Sequence, residues 1–459
     1  MTIIDVGGLD EESASGYVHG ICLKTGPPQR YGVELEWLVR DADDPALPVP
    51  AGRIASAVSA FGAAPRDPGR QERDDGKLDR PELPTSERPG VLPSGALLTS
   101  EPGGQLELSS QPADSLAGLV RVTNADLTAL REALAQAGLE LAGIGLDPLR
   151  SPRRVLTLPR YAAMEAFFDA GGPWGRQMMC ATASVQVCLD AGDDSDGPSG
   201  YRQRWRLLHA IGPVLVGAFA NSPLREGKPT GWVSSRQQVW AGMDPGRTRS
   251  PGMNGDPRAA WAAYALDARV MCVRDPDSGD WSAPPGLRFR DWVRSGPDEE
   301  AGGNGRRLRP PTADDLEYHL STLFPPVRPR GHFELRMIDA QPGDGWIVPL
   351  AVASALLSDA QAQDAALAAV APLWDGQPPG WPATANGAGD GEAPWTRAAR
   401  SGPADPAISR ASRACFAAAR EALNRMGVSA GITAAVDAFT EEYVSRDRCP
   451  ADDLLEEAK

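Results

Sequence analysis

The segment YGVELEWLV (Tyr31–Val39) places two carboxylates close together in a pattern otherwise typical of a buried strand. Successive side chains of a strand point to opposite faces, and one face here is wholly apolar: Val33, Leu35, Trp37 and Val39. Glu34 and Glu36 share the other face with Gly32 and Leu38. Because the apolar face requires burial, we expect a core sheet whose second face presents carboxylates.

Three further segments combine one apolar and one polar face: GGQLELSSQP, TASVQVCLD and HFELRMID. Their polar faces are predicted to contain Gln105, Glu107, Ser109, Thr182, Ser184, Gln186, Cys188, Glu334, Arg336 and Ile338. Each segment alone also fits an antiparallel strand with one solvated face. The four together are less ordinary, because only one arginine accompanies the glutamates of these faces: Glu34, Glu36, Glu107 and Glu334.

Carboxylates gathered on one sheet face predict a cation site. Like charges in a shared site raise one another's pKa and destabilise the fold unless a cation compensates them. Hard divalent cations prefer oxygen ligands, so we expect Mg²⁺ or Mn²⁺ here. Because a Mg²⁺ ion held by few carboxylates completes its shell with water and phosphate oxygens, a nucleotide is the expected ligand.

The sequence lacks the usual phosphate-binding loops. No GxxxxGK[ST] motif is present, no GxGxxG follows a strand, and REGKPTG (Arg225–Gly231) has no upstream glycine at the required spacing. We therefore expect the phosphates to be held mainly through metal ions, with lysine and arginine side chains from loops assisting.

The order of predicted elements indicates an α+β fold with a largely antiparallel sheet, since helices and strands are interspersed without βαβ regularity. We divide the chain into an acidic lead-in (1–30), a main domain (31–372) and a C-terminal part (373–459) packed on the same domain. The main domain includes a charged excursion, rich in proline and glycine, at 41–90, with one short helix near 52–61.

Longer helices are predicted from apolar periodicity, and a loop from composition. Residues 373–405 are rich in proline and glycine and are predicted to form a loop. Helical periodicity is found at 115–141, 161–172, 201–223, 360–372, 407–426 and 434–444.

Composition excludes several classes of function. The chain of 459 residues has a formal net charge of −15, which argues against a nucleic-acid-binding surface and against anionic membranes. No apolar run reaches the length of a membrane span, and the acidic N-terminus MTIIDVGGLDEES lacks the layout of a signal peptide. We therefore expect a cytoplasmic protein. Its six cysteines are scattered without a CxxC pair, which favours reduced, mostly buried thiols.

Six segments together resemble, in chain order, the signature segments of glutamate–cysteine ligases of the plant-type and proteobacterial branch: GVELEW, EPGGQLELSSQP, TASVQVCLD, FANSPLREGKPTGWVSSRQQVW, HLSTLFPPVR and FELRMID. The resemblance extends from about Tyr31 to Asp359. The composition is similar to that of actinobacterial relatives that serve ergothioneine biosynthesis. The resemblance implies a glutamine-synthetase-like fold, in which a half-open antiparallel sheet surrounded by helices forms a funnel with metal ions at its floor.

The activity implied by this resemblance is an ATP-dependent ligation. The γ-carboxylate of L-glutamate would attack the γ-phosphate of ATP, and the amine of L-cysteine would then displace phosphate from γ-glutamyl phosphate. The implied partners are these two amino acids and ATP, with Mg²⁺ or Mn²⁺ as cofactor, and neither nucleic acid nor membrane. We expect a monomer or a weak homo-oligomer, with residues 31–372 as the catalytic ligase domain.

The resemblance also implies roles for individual residues. Metal ligation is expected from Glu34, Glu36, Glu101, Glu107, Gln186 and Glu334. Glu34 and Arg336 would be catalytic, and Arg336 would contact the transferring phosphoryl group, with Lys228 assisting in nucleotide binding. Substrate binding is expected from Arg236, Arg160 and Thr182. Arg236 would contact the α-carboxylate of glutamate.

Simpler structural roles remain open for several of these residues. Glu101 could merely begin a turn at Pro102–Gly104, and Gln186 could be a satisfied core amide. The remaining alternatives are surface cations: Arg236, Arg160 and Lys228.

Two other functions also remain open, and a third, a metal-dependent hydrolase built on the carboxylates, ranks last because the sequence has no evident histidine ligands. Met271 stands where the resemblance leads us to expect an aromatic residue lining the substrate cleft, so a related ligase with a different amine acceptor is one alternative. The other is a non-catalytic relative that binds an amino acid or a nucleotide. Retention of the acidic positions and of Arg336 argues against the second alternative.

Overall fold

The computed structural model describes residues 9–28, 30–62, 89–252, 255–275, 279–295, 308–374 and 393–459. In these ranges the strands are β1 (Tyr31–Asp41), β2 (Gly90–Val91), β3 (Leu97–Ser100), β4 (Leu106–Ser109), β5 (Leu139–Ala142), β6 (Ser184–Leu189), β7 (Leu224–Arg225), β8 (Lys228–Pro229), β9 (Val327–Pro329) and β10 (Phe333–Asp339). The four strands predicted from alternation correspond to β1, β4, β6 and β10.

The main sheet is antiparallel, with the strand order β2-β3-β4-β1-β6-β10-β9. The long strand β1 pairs with β4 and β6 in its first part, and its last residues, Leu38–Asp41, pair with β5. Since β2 and β9 lie at opposite ends of this order, the sheet stays open within the described residues. The predicted α+β fold with a half-open antiparallel sheet is confirmed.

Helices pack around this sheet, and their bounds are α1 (Glu11–Cys22), α2 (Ala51–Ala57), α3 (Leu116–Gln136), α4 (Pro159–Asp169), α5 (Trp174–Ala181), α6 (Tyr201–Ala218), α7 (Ser235–Gly242), α8 (Pro245–Thr248), α9 (Pro257–Asp267), α10 (Phe289–Arg294), α11 (Ala313–Leu320), α12 (Ile347–Ser358), α13 (Ala360–Val370), α14 (Pro394–Ser401), α15 (Pro406–Arg425), α16 (Ala430–Glu442) and α17 (Pro450–Glu457). The predicted longer helices correspond to α3, α4, α6, α13, α15 and α16. In the described part of the chain, every helix is too short or too polar to cross a membrane.

Two of the predicted segments differ from the structure in the kind of element that they contain. The periodic segment 115–141 is a helix followed by a strand, because Gly138, at a φ of +67°, ends α3 and the next residues pair with β1 as β5. The predicted loop 373–405 contains α14, which is held by the burial of Trp395 at 1% exposure. In such a short helix the apolar pattern is obscured by the surrounding composition.

The charged excursion of 41–90 is described only in part. Its predicted short helix corresponds to α2, followed by a 3₁₀ turn at Ser59–Phe61. Residues 63–88 of the excursion lie outside the described residues, as do residues 375–392 of the predicted loop.

The apolar face of the sheet carries the main hydrophobic core. Val33, Leu35, Val187 and Leu335 are each at most 1% exposed, and this face packs against α3, α6 and α12. Full burial of such a side chain contributes about 1.5–3 kcal/mol, and a register slip of one residue would expose the whole set. The core therefore determines which side chains the opposite face presents.

Strand β10 departs from regular alternation. Its pairing with β6 shifts between Leu335 and Ile338, so that Arg336 and Met337 together oppose a single residue of β6. A bulge of this kind changes which face the following side chains occupy. Ile338, predicted on the polar face, is buried in the main core, so that prediction was wrong.

Candidate active site

The register of the sheet brings three of the predicted glutamates to neighbouring positions on one face. Glu36 in β1 lies directly opposite Glu107 in β4, and Glu34 lies between Ser109 of β4 and Gln186 of β6. Directly opposed residues of an antiparallel pair have Cβ atoms about 4.5–5.5 Å apart. All three carboxylates are half-buried, so each remains open to a ligand on this side of the sheet.

Glu101 joins these carboxylates from the turn between β3 and β4. The Gly104 N–H donates to the Glu101 carbonyl, and the Glu101 N–H donates to the Gln105 carbonyl, both over 2.8 Å. Gly103 allows the turn to lie against α5, because a Cβ at this position would come within 2.2 Å of the Cys180 carbonyl oxygen. Glu101 therefore begins a turn and also lies within electrostatic reach of the other carboxylates.

The environment of Glu34, Glu101 and Glu107 favours their protonated forms. Burial, reinforced by the charge of Glu334, raises the pKa of Glu34 to about 7. Burial and the charge of Glu36 raise the pKa of Glu101 to about 7. Burial and the charge of Glu34 raise the pKa of Glu107 well above its usual range. The repulsion expected from the sequence pattern is thus part of the folded structure.

Neutral side chains supply several short-range partners of these carboxylates, and we define the glutamate group as Glu34, Glu36, Glu101 and Glu107. Ser184 Oγ and Gln186 Nε2 donate to Glu36 over 2.8 and 2.9 Å. Ser109 Oγ donates to Glu107 over 3.2 Å. These hydrogen bonds orient the carboxylates but do not neutralise their negative charge. A cation would therefore stabilise the ionised group.

Glu334, in contrast, is paired directly with two arginines, and we define the arginine–glutamate triad as Arg328, Glu334 and Arg336. Glu334 is 0% exposed. Arg328 lies opposite it in β9 and donates from Nη2 to both carboxylate oxygens over 2.8 and 2.9 Å, and from Nε over 3.1 Å. Arg336 donates to the same carboxylate. Burial opposes ionisation, but the two guanidinium groups outweigh it and lower the pKa of Glu334 to about 2.

Gln186 links the glutamate group to the triad. Its Nε2 donates to Glu36, its Oε1 accepts a hydrogen bond from Arg336, and the residue is 1% exposed. Gln186 is therefore a buried amide with hydrogen-bond partners, as the simpler structural alternative supposed. Both partners, Glu36 and Arg336, are themselves candidate site residues. Gln186 can ligate a metal through Oε1 only if the bond from Arg336 is rearranged, and its role as a ligand stays a prediction.

The donor chemistry of the glutamate group fits a hard divalent cation, because it offers several oxygen ligands whose side-chain hydrogen-bond partners, among the described residues, are neutral. Among the residues that the structure describes, no three acidic, histidine or cysteine side chains converge closely enough to hold a metal ion as they stand. Repelling carboxylates have no reason to converge without a cation. Ligation would therefore require the glutamate side chains to rotate towards one another.

Arg160, at the start of α4, lies beside the glutamate group. Its guanidinium donates to the hydroxyl and the carbonyl of Ser321 over 3.0 and 3.2 Å and lies 5.0 Å from the Tyr318 ring centroid. Its charge favours the ionised form of Glu101. The half-buried position differs from that of a free surface cation, and substrate binding by Arg160 stays a prediction.

Arg236 contacts strand β10, and Thr182 contacts helix α5. Arg236 is 1% exposed, donates from Nη2 to the Arg336 carbonyl over 2.8 Å, and lies 4.4 Å from the Trp240 ring centroid. The alternative of a helix-surface arginine is therefore wrong. The Thr182 hydroxyl donates to the Met178 carbonyl of α5 over 2.7 Å. These contacts give both residues a structural role, and their binding of substrate stays a prediction.

Lys228 lies apart from the main sheet. It is exposed in the β7–β8 hairpin, which forms a separate two-stranded sheet. The connecting residues Glu226 and Gly227 have positive φ values of 51° and 71°. Its position is that of a surface cation, and contact with nucleotide phosphates stays a prediction.

The sequence analysis did not single out Arg328 or Ser184 as site residues. Arg328 belongs to a quoted segment, HLSTLFPPVR, but its pairing with Glu334 depends on the register of the short strand β9. Ser184 was predicted on the polar face of its strand, two residues before Gln186, and this shared face could have identified it as a site residue. The structure shows it donating a hydrogen bond to Glu36.

Comparison with known proteins agrees with the sequence segments described above. The family described as glutamate-cysteine ligase family 2 (GCS2) matches residues 30–459. Glutamate–cysteine ligase EgtA of Mycobacterium tuberculosis strain H37Rv is 38% identical over 455 residues, covering 98% of this chain and 91% of that protein. The chloroplastic glutamate–cysteine ligase of Medicago truncatula is 32% identical over 255 residues, covering 53% of this chain and 47% of that protein.

Among solved structures, a glutamate–cysteine ligase from Francisella tularensis in complex with AMP aligns with a TM-score of 0.47 and 9% sequence identity. The alignment covers 94% of this chain and 85% of that chain. The family match and the M. tuberculosis relative each span nearly the whole sequence. This chain therefore belongs to glutamate–cysteine ligase family 2.

Proposed function

We propose that this member of the glutamate–cysteine ligase family joins the γ-carboxylate of L-glutamate to the amine of L-cysteine, with cleavage of ATP to ADP and phosphate. The observation that carries this proposal is the presence, on one sheet face, of the glutamate group beside the arginine–glutamate triad. The glutamate group offers oxygen ligands for cations, and the triad offers a guanidinium next to them. Phosphoryl transfer between two anions uses both kinds of positive charge.

The proposed reaction has two steps. In the first, a γ-carboxylate oxygen of glutamate attacks the γ-phosphorus of ATP, the bond from phosphorus to the bridging oxygen breaks, and ADP leaves. In the second, the cysteine nitrogen attacks the carbonyl carbon of γ-glutamyl phosphate, the carbon–oxygen bond to phosphate breaks, and the departing phosphate takes up the extra proton of the nitrogen. Arg336 would neutralise charge on the transferring phosphoryl group.

Glu34, Glu36, Glu101, Glu107, Gln186 and Glu334 are the proposed ligands of Mg²⁺. Glu334 can join the others only if its ion pairs with Arg328 and Arg336 are rearranged. The ion, when bound, would neutralise the triphosphate and align it with the attacking carboxylate. Metal ligation requires ionised carboxylates, whereas burial raises their pKa and favours the protonated forms when no metal is bound. Binding of the ion would therefore release protons from these carboxylates. The proposed contacts to substrates and nucleotide come from Arg236, Arg160, Thr182 and Lys228.

Met271 supports a second candidate, a ligase with another amine acceptor. This residue stands where the family resemblance leads us to expect an aromatic side chain, and it is 1% exposed. It belongs to an apolar cluster with Phe324, against which the partly buried Tyr318 and Trp281 pack. Aromatic side chains from other segments therefore belong to the same apolar cluster as Met271.

We further propose that the product supplies ergothioneine biosynthesis in the cytoplasm and that the protein acts as a monomer or a weak homo-oligomer. The resemblance in composition to actinobacterial relatives supports the pathway. The net charge of −15 supports a protein that avoids nucleic acid and anionic membranes. Gel filtration and analysis of thiols in cells lacking the gene test these two parts separately.

The decisive experiment is ADP release by the full chain with ATP, Mg²⁺ and L-glutamate, with and without L-cysteine. We expect release that depends on both amino acids, with γ-glutamylcysteine detected by mass spectrometry. Release that depends on glutamate but not on cysteine would retain the acyl phosphate chemistry and assign another amine. If binding of amino acid or nucleotide occurs without any release, the chain is a non-catalytic relative.

A further inference from the structure

Arg328 is the member of the arginine–glutamate triad to which the sequence motifs give no role. It reaches Glu334 from the neighbouring strand and engages both carboxylate oxygens. Arg336 donates to the same carboxylate through one oxygen, Oε1. One negative charge is thus shared by two guanidinium groups, and the triad has a surplus of positive charge.

This surplus falls on Arg336. In the described part of the chain, its buried Nε has no hydrogen-bond partner, and its Nη1 is divided between Glu334 and Gln186. Because Arg328 already satisfies both oxygens of Glu334, Arg336 need not close on that carboxylate with its full fork. Arg336 therefore retains donors that a second anion can use.

Removal of Arg328 would change the geometry of Arg336. Glu334, at 0% exposure, would keep only one cation, and a buried carboxylate left with incomplete partners is strongly destabilising. The guanidinium fork matches the two oxygens of a carboxylate. Arg336 would therefore turn towards Glu334 as a two-point partner and withdraw from Gln186.

Arg328 also fixes the segment beneath Arg336. Its Nη1 donates to the Leu323 carbonyl over 3.2 Å. The next residue, Phe324, lies under the Arg336 guanidinium at 5.9 Å from the ring centroid, and the Arg336 backbone N–H donates to the Pro326 carbonyl over 2.8 Å. One side chain thus connects strand β9, Glu334 and the support of Arg336.

We infer that Arg328 is a positioning residue, which occupies Glu334 so that Arg336 stays available to the phosphoryl group. This inference rests on the proposed function, because the phosphoryl group is the anion that Arg336 would meet. It assigns to Arg328 no contact with substrate. Its effect should therefore be seen in kcat and in nucleotide binding, and only weakly in the KM for glutamate.

The chain offers a matched control pair. Arg397 makes the same three contacts with Asp405, from Nη2 over 2.7 and 2.8 Å and from Nε over 2.9 Å, between α14 and the residue that precedes α15. Arg328→Gln and Arg397→Gln each remove one such fork from its carboxylate. Comparison of the two variants separates the loss of an ion pair from the loss of a pair that positions Arg336.

The experiment measures kcat, the KM for glutamate and thermal unfolding for the full-length variants. We expect Arg328→Gln to lower kcat by about 10- to 100-fold, the range for removal of a residue that orients a site group. Arg328→Lys should recover part of this loss, because it keeps the charge but not the fork. Arg397→Gln should leave kcat unchanged. Equal kcat in wild type and both Arg328 variants, or an equal loss in Arg397→Gln, would overturn the inference.

A second pair of measurements covers the remaining outcomes. Arg328→Gln combined with Glu334→Gln should be no slower than Glu334→Gln alone, because Arg328 acts through that carboxylate; an additive loss would contradict this. If Arg328→Gln does not fold, Arg328→Lys decides. If the wild type releases no ADP, the proposed function fails, and calorimetry with a non-hydrolysable ATP analogue and Mg²⁺ tests Arg328: unchanged affinity in Arg328→Lys rejects its role.

Discussion

The two parts of the sheet's polar face treat their carboxylates in opposite ways. Burial and like charges raise the pKa of Glu34 and Glu101 to about 7, whereas two arginines lower the pKa of Glu334 to about 2. Glu34 and Glu334 both lie on strands that pair with β6. Burial alone does not separate them, because Glu334 is the more deeply buried of the two. The placement of Arg328 and Arg336 makes the difference.

Each part of the face has an unbalanced charge. The glutamate group has too little positive charge, so its full ionisation near neutral pH depends on a cation from solution. The arginine–glutamate triad has more positive charge than its carboxylate requires, so it can accept an anion. A metal–triphosphate complex supplies both at once. The following variants test this division of roles.

The largest effect is expected from Glu34→Gln. We expect turnover to fall by about 1,000-fold or more, since one ligand of the proposed metal is lost together with its charge. The metal-free variant should fold normally and unfold at a slightly higher temperature, because one repelling charge has been removed. Thermal unfolding in a chelator and kcat with Mg²⁺ measure both effects. Glu140→Gln, an exposed change in β5, is the control; a marked loss of metal-free stability in Glu34→Gln would indicate a structural role instead.

Arg336→Lys is expected to have the next largest effect. Lysine retains the charge, but its ammonium group lacks the planar fork with which Arg336 contacts Glu334 and Gln186. We expect kcat to fall by about 100-fold, with a smaller change in the KM for glutamate. The same exchange in Arg131, an exposed partner of Asp344, is the control. Wild-type kcat in Arg336→Lys would remove this residue from the phosphoryl step.

The pH dependence of metal-free stability should have opposite signs in the two parts. Glu34 and Glu101 bind more protons in the folded state, so their contribution to the free energy of unfolding falls as pH rises from about 4.5 to about 7. Glu334 binds fewer protons when folded, so its contribution is complete above about 4.5 and is lost as pH falls towards about 2.

Thermal unfolding in a chelator, followed from about pH 5 to about pH 8, measures the first of these trends. Glu101→Gln should flatten the decline, because it removes one of the carboxylates whose pKa is raised by burial. Added Mg²⁺ should stabilise the protein more at the upper end than at the lower end, since metal ligation requires ionised carboxylates. An equal effect of Mg²⁺ at both ends would contradict ligation by these glutamates.

Gly103→Ala should have a moderate effect that is transmitted through the backbone. The new Cβ would come within 2.2 Å of the Cys180 carbonyl oxygen, so the turn must move away from α5 and displace Glu101. We expect a loss of stability of about 1–3 kcal/mol and a reduction in kcat of about tenfold. Gly52→Ala, where a Cβ has open space, is the control. Normal kinetics in Gly103→Ala would show that Glu101 is dispensable.

The smallest effect is expected from Lys228→Ala. The side chain is exposed in a separate hairpin, and a surface charge contact contributes up to about 1 kcal/mol. The KM for ATP should therefore change by no more than about fivefold, with kcat unaltered. A much larger increase in this KM would place the β7–β8 hairpin against the nucleotide.

Much of the carboxylate face could be predicted because alternation is a local property of the sequence. The residues of β1, β4 and β6 occupy the faces that their apolar pattern requires, and this places Glu34, Glu36 and Glu107 together. The pattern fails after Arg336, where a bulge in β10 moves Ile338 into the core. A bulge depends on the partner strand and leaves no mark in the strand's own period.

Two arginines show what local patterns cannot predict. Arg328 becomes a partner of Glu334 only through the pairing of a three-residue strand. Arg236 lies on a short helix whose sequence permits an exposed cation, yet the Arg336 carbonyl and the Trp240 ring enclose it. In both cases the charge is buried because distant segments supply its partners, and that information is tertiary.

The bulge in β10 also constrains the gene that encodes this strand. On one side of it Glu334 belongs to the polar face, and on the other side Asp339 accepts hydrogen bonds from the Ser222 and Ser234 hydroxyls. Met337 is the extra residue of this interval, so a chain without it would pair regularly and keep Ile338 and Asp339 opposite Val185 and Ser184. Deletion of the Met337 codon should therefore be tolerated better than deletion of the codon for Leu335 or Arg336, which would move Arg336 or Met337 to the opposite face.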